Sequence, residues 1–336
     1  MKLRPAAAPR AGTREAGAPA PRGGSRALAL REYGIYAALA LLVLGFSLAA
    51  PAFRTPENLF LVLRQVSVNG ILAVGMTFVI LTAGIDLSVG SLLAVAGLVS
   101  GLLAQQDPTP VSVALALASP LLVGLAGGAL NGALVAFSRV SPLIVTLGTL
   151  TAYRGFAVWF RVNPVYDLQP WYRDLGRLEL GPLPLPALVF LGVAALAALV
   201  LSRTRFGREV YAVGGNEEAA RAAGISVARV KLSVYLISGL CAGLAALVFT
   251  ARLGAAQSIA GQGFELQVIA AVVVGGTSLF GGRGRVHHTV VGTLLIGVLF
   301  NGLVLLNVPS PIQQMVIGAI IVGAVWLDGA LQGREP

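Results

Sequence analysis

Uncharged apolar runs about as long as a bilayer is thick recur along this 336-residue chain, and they constrain it more than any other feature. A helix needs about 20 residues to cross ~30 Å of hydrocarbon. Runs of that order occupy residues 33–53, 65–85, 87–106, 111–138, 143–160, 185–202, 232–251, 289–308 and 312–327, and a shorter one, 268–281, reads as a half-helix. Asp86 alone separates the second run from the third, and Arg154 alone interrupts the fifth. Backbone polar groups in lipid must be satisfied within the segment, which selects helices. The chain is therefore expected to be an all-α polytopic membrane protein with about ten spans. A soluble fold is excluded: only 11% of the residues are charged, against roughly 25% in soluble domains. Seven of the 24 basic residues also sit in the first 31, leaving too few to clothe a soluble surface.

Residues 1–31 are rich in Ala, Pro, Gly and Arg, cannot bury a core, and read as a disordered tail ahead of a membrane domain over 32–330. Two other segments are polar. Residues 161–184 balance three basic with three acidic side chains and carry interfacial aromatics such as Trp171 and Tyr172. Residues 203–231 carry six basic and three acidic side chains. Basic residues favour the cytoplasmic side. Placing the tail inside also puts 203–231, Arg139, Arg283 and Arg285 inside and the neutral 161–184 loop outside, with both termini cytoplasmic. Arg54 and Arg64 are the exceptions. The net charge of +10 is thus read as membrane orientation, not as affinity for nucleic acid.

Catalytic and cofactor chemistry finds little to work with. Cys241 is the single cysteine, and the two histidines, His287 and His288, are adjacent and diverge on a helix. The two lysines, Lys2 and Lys231, stand in no phosphate-binding loop. No catalytic set, metal site or cofactor is expected. Glycine is frequent, and Gly124, Gly128 and Gly132, like Gly239 and Gly243, have the spacing that lets helices approach closely in lipid. Leu130-Asn131-Gly132…Ser141-Pro142…Gly148 resembles Phe300-Asn301-Gly302…Ser310-Pro311…Gly318, a possible inverted repeat of the kind found in transporters.

Two segments hold candidate functional residues. In ILTAGIDLSVGS (80–91), the Asp86 carboxylate is costly in a bilayer unless satisfied. Either it caps a broken helix by taking an amide two or three residues on, near Ser88, or it contacts substrate. In VGGNEEAARAAGI (213–225), Asn216 can cap a short helix, Glu217 and Glu218 suit its positive start, Glu217 and Arg221 are spaced for an ion pair, and Gly224 can end it. Around Ala219 and Ala220 such a helix has too little bulk to join a core of its own; it is either a solvated connector or, as its small residues suit better, an element that docks into a groove. Asn69, Thr77, Asn131 and Asn301 would be costly facing lipid, so they face a path or another helix.

Glu218-Ala219-Ala220…Gly224 resembles the motif by which permeases of bacterial ABC importers dock their ATPase. Together with ILTAGIDLSVGS and AAVVVGGTSLFGGRGRV (270–286), it resembles the ribose/monosaccharide branch of those permeases over roughly residues 55–330. The resemblance implies a ten-helix permease that pairs with a second permease copy, sits on two ATPase subunits and receives sugar from an extracytoplasmic binding protein. It implies a bacterial inner-membrane location and no enzyme activity in this chain. The competing class, an ion-coupled secondary transporter, normally needs several intramembrane ionisable groups, and here only Asp86, Arg154 and Arg252 are candidates. His287-His288 and the long tail depart from the family pattern. At the outer face, Arg154 and Arg252 either snorkel or pair with an acid such as Glu265 or Asp167, or act with Arg161 and Arg173 to receive acidic residues of the binding protein.

Overall fold

The computed structural model describes residues 24–138 and 140–332. Of residues 1–31, read above as a disordered tail, those up to 23 lie outside the described residues, as does Arg139, used as an orientation mark; residues 24–31 belong to a helix that runs Gly24–Ala49. The chain divides into a short unit ending at Gly34 and a body starting at Ile35.

The described chain is helical almost throughout. The apolar helices are α1 (Gly24–Ala49), α2 (Pro56–Leu81), α3 (Val89–Ala104), α4 (Pro110–Phe137) and α5 (Pro142–Phe160), followed by a short α6 (Pro170–Leu175). A two-residue hairpin, β1 (Glu179–Leu180) and β2 (Leu183–Pro184), leads into α7 (Leu185–Arg203). Then come α8 (Arg205–Gly215), α9 (Glu217–Ala222), α10 (Val227–Leu253), α11 (Phe264–Val274), α12 (Val286–Leu305) and α13 (Ser310–Gln332). Helices α2, α4, α5, α7, α10 and α12 are long and apolar enough to cross a membrane; α1 from Tyr33, α3, α11 and α13 to Trp326 are shorter apolar helices. The chain is an all-α, multi-pass membrane protein. Helix α11, at 11 residues, is ~16 Å long at 1.5 Å per residue, about half a bilayer.

Boundaries move where charges lie inside helices. Helix α2 starts at Pro56, ahead of the uncharged run at Gln65, because the Thr55 hydroxyl accepts the Asn58 amide and Pro56 fits the first turn. Arg64 is thereby carried inside the helix, where it pairs with Glu179 at 2.6 Å. That pairing gives a local reason for a basic residue at the end away from the 203–231 loop. Helix α10 starts at Val227 and takes Arg229 and Lys231 into its first turns.

Helix α10 is central, packing against α2, α3, α4 and α6 and reaching α8 and α9. Its crossing with α4 uses the small-residue spacing read from sequence. A Cβ on Gly124 would overlap the Gly239 carbonyl, and one on Gly243 would overlap the Pro120 carbonyl. Buried Ile71, Met76, Ile80, Leu92, Val234 and Tyr235 form the main core, while Leu122, Leu147, Trp159 and Leu196 face outward as lipid- or partner-facing surface.

Candidate functional site

The polar stretch between α7 and α10 folds into two short helices. Thr204 caps α8 by accepting the Gly207 amide at 3.0 Å, and Phe206, Val210 and Val213 recur on one face, turned toward the core, with Phe206 stacked on Phe78. Helix α9 is capped at both ends. Asn216 accepts the Ala219 amide at 2.9 Å. Gly224 adopts φ +82°, and the Ile225 amide closes the end on the Ala220 carbonyl, a left-handed turn for which glycine carries no Cβ penalty. Glu217 pairs with Arg221 at 3.0 Å and also with Lys231 of α10 at 2.7 Å. Ala220 is buried; Glu218, Ala219, Arg221, Ala222, Ala223 and Gly224 are exposed. No local pattern announces the Lys231 contact, which anchors α9 to the central helix.

The three motif stretches meet here. The Gly282 amide donates to the Leu81 carbonyl at 2.9 Å, and the Tyr211 hydroxyl donates to the Gly284 carbonyl at 2.8 Å. Burial pushes the Tyr211 phenol above its ordinary pKa, so it remains a donor. At Gly214 the approach is closest, since a Cβ would overlap the Leu81 carbonyl oxygen and crowd the Gly282 amide. The end of α2, the end of α8 and the turn before α12 are therefore one junction, with α9 beside it.

Asp86 sits fully buried in the turn between α2 and α3. Its Oδ1 accepts the Ser88 amide at 3.0 Å, the Ser88 hydroxyl at 2.7 Å and, at 3.4 Å, the Asn131 amide; its Oδ2 accepts the Ser238 hydroxyl at 2.8 Å. Asn131 also donates to Ser88 Oγ at 2.7 Å, and Tyr153 donates to the Gly127 carbonyl at 3.0 Å. The preceding Ile85 carbonyl accepts from Thr146 and Tyr235. One turn thus ties together α3, α4, α5 and α10. Three of these donors converge on Oδ1 and one reaches Oδ2, so the carboxylate is satisfied within the protein. The other candidates separate. Thr77 meets Thr289 at 2.9 Å, and Asn301 exchanges two hydrogen bonds with Asn58, so both make helix–helix contacts. Asn69 instead lines a cavity at the far end of the molecule.

At that far end, Arg154 turns inward and donates to the Ser258 and Ala260 carbonyls, holding the segment between α10 and α11. The same segment bridges the 161–184 loop, Val165 and Ala256 exchanging bonds of 2.8 and 2.9 Å. Arg252 lies 5.9 Å from the Phe249 ring and lines the cavity beside Asn69. The Arg173 side-chain carbons pack on Gly254, and Arg161 is exposed.

Residues 58–325 match the family model described as branched-chain amino acid transport system / permease component. The chain belongs to this family. The permease is 43% identical over 302 residues to the ribose import permease protein of Bacillus subtilis, covering 89% of this chain and 93% of the relative. It is 45% identical over 313 residues to the ribose import permease protein of Escherichia coli K12, covering 90% and 95%. It is 42% identical over 301 residues to the D-allose transport system permease protein of the same strain, covering 88% and 91%. No solved structure matches the permease. The resemblance read from the three motif stretches holds: the permease is an ABC importer subunit, a transporter and not an enzyme.

Proposed function

We propose that this permease forms the membrane path of an ATP-driven monosaccharide importer of the bacterial inner membrane, paired with a second permease copy. Separate ATPase subunits dock on α9, and an extracytoplasmic sugar-binding protein docks at the opposite end, so both termini and the 203–231 loop are cytoplasmic. The single observation that carries this reading is the exposed face of α9, a doubly capped helix fixed to the junction of the three motif stretches and to α10 through Lys231. Asp86, Ser88 and Asn131 then serve as the fixed point of the broken helix. The sugars named for the relatives, ribose and allose, indicate the substrate class.

Uptake of labelled D-ribose and D-allose in cells lacking their own sugar permeases tests this. With the ATPase and binding protein present, at least one sugar should enter, and uptake should cease when either partner is omitted. Uptake that persists without the ATPase and collapses on dissipating the ion gradient would establish the ion-coupled class instead.

Docking of the binding protein is assigned to Arg161 with Arg173, because Arg154 is held by the Ser258 and Ala260 carbonyls and Arg252 lies in the cavity against Phe249. Exposed charge pairs weaken as the Debye length falls from ~10 Å at 0.1 M to ~3 Å at 1 M salt. Binding-protein-stimulated ATP hydrolysis should therefore fall with salt in wild type and be lower and flatter in Arg161→Ala. Stimulation insensitive to both changes would remove Arg161 from this role.

A further inference from the structure

Five of the chain's ten glutamines surround one cavity of ≈ 280 Å³ in the end of the molecule away from α9. Gln65 comes from α2, Gln262 from the segment before α11, Gln267 from α11, and Gln313 and Gln314 from α13; Asn69 of α2 joins them. Burying an amide in apolar surroundings costs free energy unless it is hydrogen-bonded. Here Gln262 and Gln314 are exposed and the other four amides half-buried, so the six, gathered from four places in the chain, give the cavity a polar lining open to an occupant.

Part of this hydrogen-bonding capacity is used internally. Asn69 Nδ2 donates to Gln267 Oε1 at 2.8 Å, and Gln313 Nε2 donates to the Val308 carbonyl at 2.8 Å. Part is not: among the described residues the Gln65, Gln262 and Gln314 carboxamides of the lining hold no partner, whereas the unpartnered Asn69 Oδ1 and Arg252 Nε are buried in the wall. Carboxamides offer donors and acceptors together, which is what a hydroxyl group needs from a site. The lining contains no carboxylate to hold a cation and, in Arg252, a single positive charge. Phe264 and Phe300 add apolar faces. The volume lies at the lower edge of small-molecule sites, ~300–1,000 Å³, which suits one sugar ring rather than a chain of them. Ser310 and Gln314 are exposed, so the cavity opens at the start of α13.

We infer that this amide-lined cavity holds a monosaccharide within the permease itself, with Asn69, Gln267 and Gln313 binding its hydroxyls after release from the binding protein. The inference rests on the sugar-importer reading and assigns that reading a place and a set of specificity-determining side chains. None of the docking residues at α9 takes part.

The test uses the full permease with its ATPase subunits in lipid nanodiscs, with Gln65→Cys, a lining position outside the three binding side chains, as reporter. The single native cysteine, Cys241, is buried. An affinity of ~5 mM and ~50 mM D-ribose or D-allose should slow labelling by a small thiol reagent about tenfold, as 1 + [L]/Kd. Betaine at equal osmolarity should not slow it, and Gln267→Leu in the same background should remove the protection. Ser310→Cys serves as a second reporter should Gln65→Cys fail to assemble. Protection by either sugar that is lost in Gln267→Leu supports the site. Protection that Gln267→Leu leaves intact overturns the assignment. Absence of protection by both sugars, in a wild-type importer that still takes up ribose or allose, overturns the cavity alone. Absence of protection together with no uptake of either sugar overturns the importer reading as well.

Discussion

Replacing Asp86 with leucine should cost the folded permease a large share of its stability. The substitution strands the Ser88 amide and hydroxyl and the Ser238 hydroxyl, all on buried residues that now donate to the carboxylate. Each buried polar group left unpaired costs ~1–3 kcal/mol, so the loss should reach about 4 kcal/mol against a typical total of ~5–15. Asp86→Asn keeps one acceptor oxygen for Ser88 and should lose less than half as much. The fraction of detergent-solubilised protein still monodisperse after heating measures both. An Asp86→Leu protein that survives heating like wild type would show that the turn does not depend on this carboxylate.

A single added methyl at Gly214 should be nearly as disruptive, whereas one at its neighbour Gly215 should be silent. The Gly214 Cβ would overlap the Leu81 carbonyl oxygen, the acceptor for the Gly282 amide, and both obstacles are backbone that cannot swing aside. A Cβ on Gly215 meets nothing. Overpacking a tight contact costs ~1–3 kcal/mol, and ~1.4 kcal/mol is tenfold in an equilibrium. Gly214→Ala should therefore cut ATPase co-purification and sugar uptake about tenfold, with Gly215→Ala matching wild type. Equal behaviour of the two alanine variants would mean that the junction of the three motif stretches does not set the position of α9.

What was legible in the sequence follows physical range. Spans announce themselves because a bilayer excludes charge, so nine runs and one half-helix could be read directly; the boundaries shifted where Arg64 or Lys231 lies inside a helix and finds a partner elsewhere, and where turns end α2 at Leu81 and α11 at Val274. Caps are local: Asn216 and Gly224 act within one turn of themselves, and both do what their residue types favour. Asp86 was half legible, since its bond to the Ser88 amide is two residues away while Asn131 and Ser238 lie far off in sequence. Contacts across long separations left no pattern to read. Lys231 reaching Glu217, the Leu81–Gly282 bond, and the convergence of Gln65 with Gln267 and Gln313 are decided by how α2, α10, α11 and α13 pack.

Binding-protein-stimulated ATP hydrolysis by the permease reconstituted with its ATPase in proteoliposomes, wild type against Glu218→Lys, is the most direct measure of the central claim. Glu218 is exposed on α9, so its reversal should leave folding and the sugar-protected cavity unchanged. A like-charge or unpaired contact in an interface costs several kcal/mol, so co-purification of the ATPase and stimulated hydrolysis should both fall at least about tenfold. Unchanged association and unchanged stimulation in Glu218→Lys would contradict the claim that α9 carries the coupling.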